Sequence, residues 1–299
     1  MRTVDLFCGS GGMSAGLMES GFNVVAAFDD WSTAVATYNR NLGDHAHELD
    51  LSFVEEAADR VSQYEPELIV GGPPCQDFSS AGKRVEGKQA NLTVAFAEIV
   101  YACDPRFVLM ENVPQVRRSL AYSQLRATLS TFSFAEFILD ASFCGVPQRR
   151  KRYFSFGWHQ DVKSLTAEKV LALLEEAKSD CALTVKEYLA DEIDIDYYYR
   201  HPRNYSRRSV FSVFEPSPTV RGVNRPVPPN YKGNHLDSVP PSTVRPLTSL
   251  ERSRIQTFPS DWDWSAPDRN AETETQIGNA VPVQLAAFVG AGIMRAAIE

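Results

Sequence analysis

One thiol, Cys75, follows an apolar run and four backbone-special residues, Gly71, Gly72, Pro73 and Pro74. Two prolines fix φ and remove two N–H donors, and the glycines permit a sharp exit, so the segment can hold a side chain at a fixed point. A packing cysteine needs an apolar niche, and the flanks of Cys75, "GGPP" before and "QDFSS" after, supply none. Glu111 and Asn112 close a second apolar run, "FVLMEN". Gln148, Arg150 and Arg152 alternate along "QRRKR" at the mouth of a third, a spacing that puts all three on one face of an extended strand. A thiol, a carboxylate at the edge of apolar surface and a pair of guanidiniums suit covalent catalysis. The sulfur attacks, and the acid and cations manage the charge that develops.

The first turn of the chain offers a place for a co-substrate. In "DLFCGSGG", Gly9, Gly11 and Gly12 stand between a strand and a helix, where glycine lets a ligand approach the backbone and the helix start offers free N–H groups. Such a turn also fits dinucleotide binding, but the spacing is G-x-G-G and not G-x-G-x-x-G. Asp29 and Asp30 follow the next strand, placed for ribose hydroxyls, and Asp50 can accept from an adenine amino group. Acids facing the ligand suit a nucleoside without a phosphate tail, and S-adenosylmethionine fits better than NADP.

The elements that must position these groups alternate in period. Buried strands are expected at 3–8, 22–28, 67–72, 106–112, 136–142 and 152–157, with helices at 10–20, 32–41, 92–103 and 123–132. Continuously apolar strands alternating with helices imply an α/β chain of Rossmann-like type. Its sheet is mostly parallel and covered on both faces, with strand C-terminal ends gathered on one ligand-binding edge. Helices are also expected at 167–179, 248–257 and 281–298, and the last is apolar enough to pack on that sheet. Residues 195–246 are rich in Pro, Tyr, Arg, Ser and Asn and lack a helical period. The expected division is therefore 1–180, completed by 276–299, and a small, irregular, β-leaning unit at 181–275.

The 299 residues carry a net charge of −8, yet Arg200 to Arg254 hold ten Lys/Arg against three acids, a net of +7, leaving −15 on the rest. A basic segment on an acidic body suggests one face that meets phosphates. Five widely spaced cysteines without a C-x-x-C pair argue against a disulfide framework and a zinc site, and His45 and His47 lack a third ligand nearby. No metal is expected. No apolar run approaches the length of a membrane helix, and the N-terminus carries no apolar signal region, so the expected location is cytoplasmic.

Taken together these blocks resemble the DNA (cytosine-5)-methyltransferase family: "DLFCGSGGMSAGL", "FDDWSTAVATYNRN", "LDL", "GGPPCQDFSSAGKR", "NLTVAFAEIV", "FVLMENV", "GVPQRRKRYFSFG", "RPLTSLERSRIQTFPSDW" and "QIGNAVPVQLAAF", in that order. The resemblance covers about half the chain. It implies methyl transfer from S-adenosylmethionine to C5 of a cytosine flipped out of duplex DNA, as the modification half of a type II restriction-modification system. By resemblance Cys75 is the nucleophile that adds to C6, Glu111 acts at N3, Arg152 at O2, and Arg150 holds the loop or thiol region. Phe7, Gly9, Ser10, Gly11, Gly12, Asp29, Asp30, Asp50, Leu51, Pro74, Leu92, Asn279, Ala280 and Val281 would hold the cofactor. Asp29 stands where the family usually has Glu, and Trp31 lies one place beyond the usual aromatic position.

DNA contacts are expected from Gln76, Ser79, Lys83, Arg84 and Gln148 beside the nucleophile. In the small unit they are expected from Arg203, Arg207, Arg208, Thr219, Arg221, Asn224, Arg225 and Lys232. The enzyme is expected to act as a monomer, paired in function with a restriction endonuclease. Three readings compete with it. An RNA-directed relative would carry a Cys-Phe-Thr stretch that the small unit lacks. A catalytically dead DNA-binding regulator would not keep Cys75, Glu111 and Arg152 together. A nicotinamide oxidoreductase on the same sheet leaves the Pro-Pro-Cys-Gln stretch unexplained.

Overall fold

The computed structural model describes residues 1–74 and 88–298. Cys75, Gln76, Ser79, Lys83 and Arg84 lie outside the described residues. The first half of the chain runs β1 (Arg2–Leu6), α1 (Gly12–Glu19), β2 (Asn23–Asp29), α2 (Ser32–Leu42), β3 (Ala46–Glu48), α3 (Val54–Ser62), β4 (Leu68–Gly71), α4 (Lys88–Cys103), β5 (Phe107–Asn112), α5 (Leu120–Thr128), β6 (Phe132–Asp140), β7 (Gln148–Arg149) and β8 (Lys151–His159). It continues through α6 (Ala167–Ala177), α7 (Val185–Leu189), β9 (Tyr197–Tyr199), β10 (Val210–Ser212), β11 (Ser217–Pro218), α8 (Ser249–Ile255), α9 (Asn270–Asn279) and α10 (Val283–Ile298).

Seven strands form one sheet in the order β3-β2-β1-β4-β5-β8-β6. The continuous apolarity of its strands follows from burial on both faces. In β5, Phe107 and Leu109 join a cluster with α1, α6 and α10, while Val108 and Met110 join another with α3, α4 and α5. β4 alternates the same way, Leu68 and Val70 against Ile69. The apolar α10 is thus a core helix, with Leu285, Val289 and Ile293 fully buried. The expected α/β sheet is present, with one correction to its edge. β8 runs antiparallel to both β5 and β6, so its N-terminal end, not its C-terminal end, meets the ends of the parallel strands. That reversal brings Lys151 and Arg152 to the edge where Glu111 and Asn112 finish β5.

A further apolar cluster, including Val185, Leu189, Tyr198, Val213, Val220, Leu247, Ile255 and Ile277, gathers the later elements. Its regular structure is slight: β9 pairs with β10 antiparallel, and β11 pairs with β7. The β7–β11 pair stitches this unit to the segment that carries the arginines. Ser217 N donates to Pro147 O at 2.9 Å, and Thr219 Oγ1 donates to Arg149 O at 2.8 Å.

Candidate active site

The glycine turn after β1 is wound tightly. Phe7, Gly9 and Gly11 adopt φ of 58°, 52° and 93°. A Cβ on Gly9 would meet nothing within 4 Å, because the residue faces open space, whereas one on Gly12 would come within 2.3 Å of Val281 O. Gly12 therefore lets the turn at the end of α9 lie directly on the start of α1. Asp29, at the end of β2, fastens the loop from the other side: its Oδ2 accepts from Gly9 N at 2.8 Å and its Oδ1 from Trp31 N at 2.9 Å. Burial raises the Asp29 carboxyl above its usual range.

Phe7, Gly9, Gly12 and Asp29 line a cavity of about 370 Å³ together with Asp30, Trp31, Pro73, Pro74, Leu92, Glu111, Arg152 and Asn279–Val281, whereas Gly11, expected there, turns toward Tyr38 and Leu42. The size falls within the range of small-molecule sites, about 300–1,000 Å³. Asp50 and Leu51 do not line it. Asp50 is exposed, its Oδ1 accepting from Ser52 N at 2.9 Å, and Leu51 is core. Asp50 is thus the acid that turns the chain into α3, and its reach to an adenine is not part of the observed arrangement.

Three groups on the wall have polar atoms that are buried and lack a hydrogen-bond partner: Asp5 Oδ1, Ser10 Oγ and both amide atoms of Gln276. Asp5 is the one acid inside the apolar β1 strand. Burial raises its carboxyl to about 7, while Ser14 Oγ donates to its Oδ2 at 2.6 Å. Unpartnered buried polar groups cost about 1–3 kcal/mol each, so a wall with several is built for a polar ligand. A donor hydroxyl, an amide and a carboxyl suit the zwitterionic end of S-adenosylmethionine, and Asp29, Asp30 and Trp31 suit its nucleoside. The residues present fit that group. Asp5 and Gln276 escaped the sequence reading. An acid inside an otherwise apolar strand was the available signal for the first; nothing in "TETQIGN" marks the second.

At the other end Glu111 and Arg152 face each other, Arg152 Nε lying 2.8 Å from Glu111 Oε1. Burial raises the Glu111 carboxyl, and the neighbouring Arg152 and Arg150 pull the opposite way with less effect. Asn112 braces the exit toward Cys75: its Nδ2 donates to Pro73 O at 3.1 Å. A Cβ on Gly72 would lie 3.3 Å from Glu111 Oε2, so the Gly-Gly-Pro-Pro segment passes along that carboxyl.

Arg150 serves the frame. Its guanidinium donates to Val220 O at 3.2 Å, Gly278 O at 3.3 Å and Ala280 O at 3.0 Å, joining the small unit to the turn between α9 and α10. Gln148, expected to face DNA, is fully buried. Its Nε2 donates to Gln256 Oε1 at 2.7 Å and its Oε1 accepts from Val220 N at 2.9 Å. Asn224 is likewise engaged, its Nδ2 donating to Leu247 O at 2.8 Å and to Glu274 Oε1 at 3.2 Å. Gln148 therefore leaves the DNA-facing set, whereas Asn224 stays exposed with only its amide nitrogen engaged.

The cavity opens into a cleft of about 1,110 Å³ between the sheet edge and the small unit, the two hollows sharing Val113, Arg150, Arg152, Gly278 and Asn279. Arg149, Lys151, Arg200, Arg203, Arg207, Arg208, Thr219 and Arg221 also line the cleft, against two acids, Asp140 and Glu215. Arg225 and Lys232 are exposed but lie off its wall. Among the described residues no cluster of His, Cys, Asp or Glu could hold a metal ion.

The sequence profile of C-5 cytosine-specific DNA methylases matches residues 1–295. The chain is 49% identical over 297 residues to the type II methyltransferase M.HgiDI of Herpetosiphon aurantiacus, covering 98% of this chain and 94% of that protein. It is 44% identical over 301 residues to the type II methyltransferase M.HindV of Haemophilus influenzae, covering 98% and 96%. Among solved structures, a DNA modification methyltransferase encoded within an Escherichia coli prophage superposes with a TM-score of 0.74 at 21% identity, both chains fully covered. The Dnmt2 methyltransferase of S. pombe gives 0.72 at 18%, covering 99% and 98%. These last two likenesses speak for the fold.

Proposed function

We infer, because this chain belongs to the C-5 cytosine-specific DNA methylase family, that the residues around its cavity divide the work of methylating one cytosine of a duplex. The activity itself is S-adenosylmethionine-dependent methylation of cytosine C5 in DNA, of the type II restriction-modification kind. The residue roles rest on one observation above all: a cavity fit for the methyl donor, carrying Glu111 and Arg152, continues into an arginine-lined cleft.

C5 of cytosine is a weak nucleophile in an aromatic ring. Cys75, as thiolate, adds to C6; the S–C6 bond forms, the ring electrons move toward N3 and O2, and C5 becomes enamine-like. Glu111, whose carboxyl burial raises, donates to N3 in its protonated form as that charge arrives, and Arg152 holds both the Glu111 carboxyl and the O2 side of the ring. When bound, S-adenosylmethionine supplies the methyl group as an electrophile on a positively charged sulfur. Ser10, Asp5 and Gln276 would hold its amino-acid end, and Asp29, Asp30 and Trp31 its nucleoside. The C5 proton then passes to water, its electron pair returns to the ring as the S–C6 bond breaks and the thiolate is restored, and N3 gives its proton back to Glu111. A stacked duplex covers both ring faces, so the base must be extruded into the cavity first.

The direct test is bisulfite sequencing of a plasmid grown in an expressing host. One cytosine within a short recurring sequence should resist conversion at every occurrence; uniform conversion overturns the assignment. A companion experiment probes the cleft. Six phosphate contacts predict about a 10³-fold loss of duplex affinity between 50 and 200 mM salt, and a flat response would remove the phosphate-binding role of the arginines. Gln276→Ala should weaken binding of S-adenosylmethionine, measured by calorimetry without DNA, by about 5–100-fold, since it deletes a buried amide that has no partner in the protein. Unchanged affinity would take Gln276 out of the donor site. We propose further that the enzyme works in the cytoplasm as a monomer, with a cognate restriction endonuclease as its functional counterpart and not a bound partner. The type II relatives support that pairing.

A further inference from the structure

The cleft arginines are not equivalent, and the difference sorts them by task. Arg200 Nη2 donates to Thr219 O at 2.7 Å, and burial lowers its guanidinium to about 9. Arg208 takes both oxygens of Glu215 at 2.7 and 2.8 Å while its guanidinium lies 4.2 Å over the Phe211 ring. Arg221 donates to His201 O. These three are partly buried and held by acceptors of the small unit itself, so they are its frame.

Residues 203–207 differ in exposure. All five are exposed, and they form a closed turn: Arg207 N donates to Asn204 O at 3.0 Å and Ser206 N to Asn204 Oδ1 at 3.0 Å. A second loop clamps it, Asn234 Nδ2 donating to Tyr205 O at 3.2 Å. Beneath it lies an aromatic pedestal. The Tyr205 ring centroid is 5.2 Å from that of Tyr231 and 6.0 Å from that of His201, and Tyr231 and His201 each contact Tyr199 of β9. The turn thus projects from the strand pair of the small unit, and its two arginines line the cleft.

Phosphate neutralisation needs charge but not a fixed direction, and a mobile lysine serves it well. Reading a base edge needs a donor fork held at a set angle. A buttressed, fully exposed turn with an arginine on either side of its tip is what the second task requires. Arg149 and Lys151 are also exposed but stand on β7 and β8 of the sheet edge beside Arg152, where the backbone flanking an extruded base must pass. We propose that the Arg203–Arg207 turn is the sequence reader of this enzyme, Arg207 presenting its guanidinium fork to a guanine edge in the major groove. Arg149 and Lys151 are then sequence-blind phosphate clamps. The inference rests on the DNA-methylating function above.

The test is methylation of a plasmid library carrying randomised positions around the target cytosine, read by bisulfite sequencing for the wild type, Arg207→Ala, Arg207→Lys and the double variant Arg149→Ala/Lys151→Ala. If Arg207 reads a base, R207A loses about 10–100-fold of discrimination at one position, and R207K, which keeps the charge but not the fork, loses it too while retaining the wild-type salt slope. The double variant weakens binding to all sequences alike and lowers the salt slope by about two. The proposal is overturned if R207K keeps wild-type discrimination, or if R207A lowers methylation of every sequence equally; either result makes Arg207 a clamp. A library left unmethylated by the wild type overturns the functional reading, and this inference with it. A library methylated identically by all four proteins overturns the inference alone. The altered residues are exposed, and coincident thermal melts confirm that the variants share one fold.

Discussion

Cys75→Ala should abolish methyl transfer to duplex DNA while leaving affinity for the duplex and for S-adenosylmethionine within about threefold of wild type. The asymmetry follows from where the sulfur acts. Binding energy comes from phosphate contacts in the cleft and from the walls of the cavity, none of which needs the thiol. The chemistry needs it absolutely, because without addition at C6 the target carbon stays part of an aromatic ring and its electrons are not available. Cys75→Ser should fare no better, since a hydroxyl is far less ionised than a thiol near neutrality. The decisive measurement uses a duplex with 5-fluorocytosine at the target. Fluorine replaces the proton that must leave C5, so the bond to sulfur cannot be released after methylation. Mass spectrometry should find protein joined to DNA plus one methyl group for the wild type with donor present, and no such species for Cys75→Ala. A variant lacking the thiol that still turns over at the wild-type rate, or a wild type that is never trapped, would refute covalent catalysis by this residue.

The elements that hold this chemistry were partly legible in the sequence, and the exceptions have physical causes. Strands buried on both faces read as unbroken apolar runs, so β1, β2, β4 and β5 stood out together with the glycine turn between β1 and α1. β3 has three residues and no apolar run, and α3 begins "VEEAAD", where alanines do the packing that larger side chains would have announced. The direction of β8 was readable in principle. No helix separates "EFILDAS" from "RYFSFG", and two adjacent strands joined without a crossover must be antiparallel. The expectation that every strand's C-terminal end lies on one edge missed that gap. The alternation of Gln148, Arg150 and Arg152 onto one face held, but which face looks outward depends on the β7–β11 pairing, seventy residues away in sequence. Polar character alone cannot distinguish an amide that meets DNA from one that ties two units together. Gln148, bonded to Gln256 and Val220, shows how a buried brace can carry the composition of a binding residue.

The second large effect concerns protons. Burial raises the Glu111 carboxyl, so its neutral form persists to higher pH than an exposed glutamate allows. Activity that needs neutral Glu111 must then fall as pH rises through that elevated value, whereas activity that needs ionised Cys75 must rise through the thiol's value. The wild-type profile of kcat/KM is therefore bell-shaped, Glu111 supplying the falling limb. Glu111→Gln preserves a hydrogen-bond donor toward N3 but can neither deliver a proton nor ionise. It should lose about 10²–10⁴-fold in rate, the usual share of general acid catalysis, and its profile should only rise with pH. Arg152 acts on the same carboxyl. Its charge, 2.8 Å from Glu111 Oε1, favours the carboxylate, so Arg152→Gln should move the falling limb of the residual activity to higher pH. A falling limb that survives in Glu111→Gln would assign it to another group. A limb that moves to lower pH in Arg152→Gln would mean that the arginine does not act on this carboxyl through its charge.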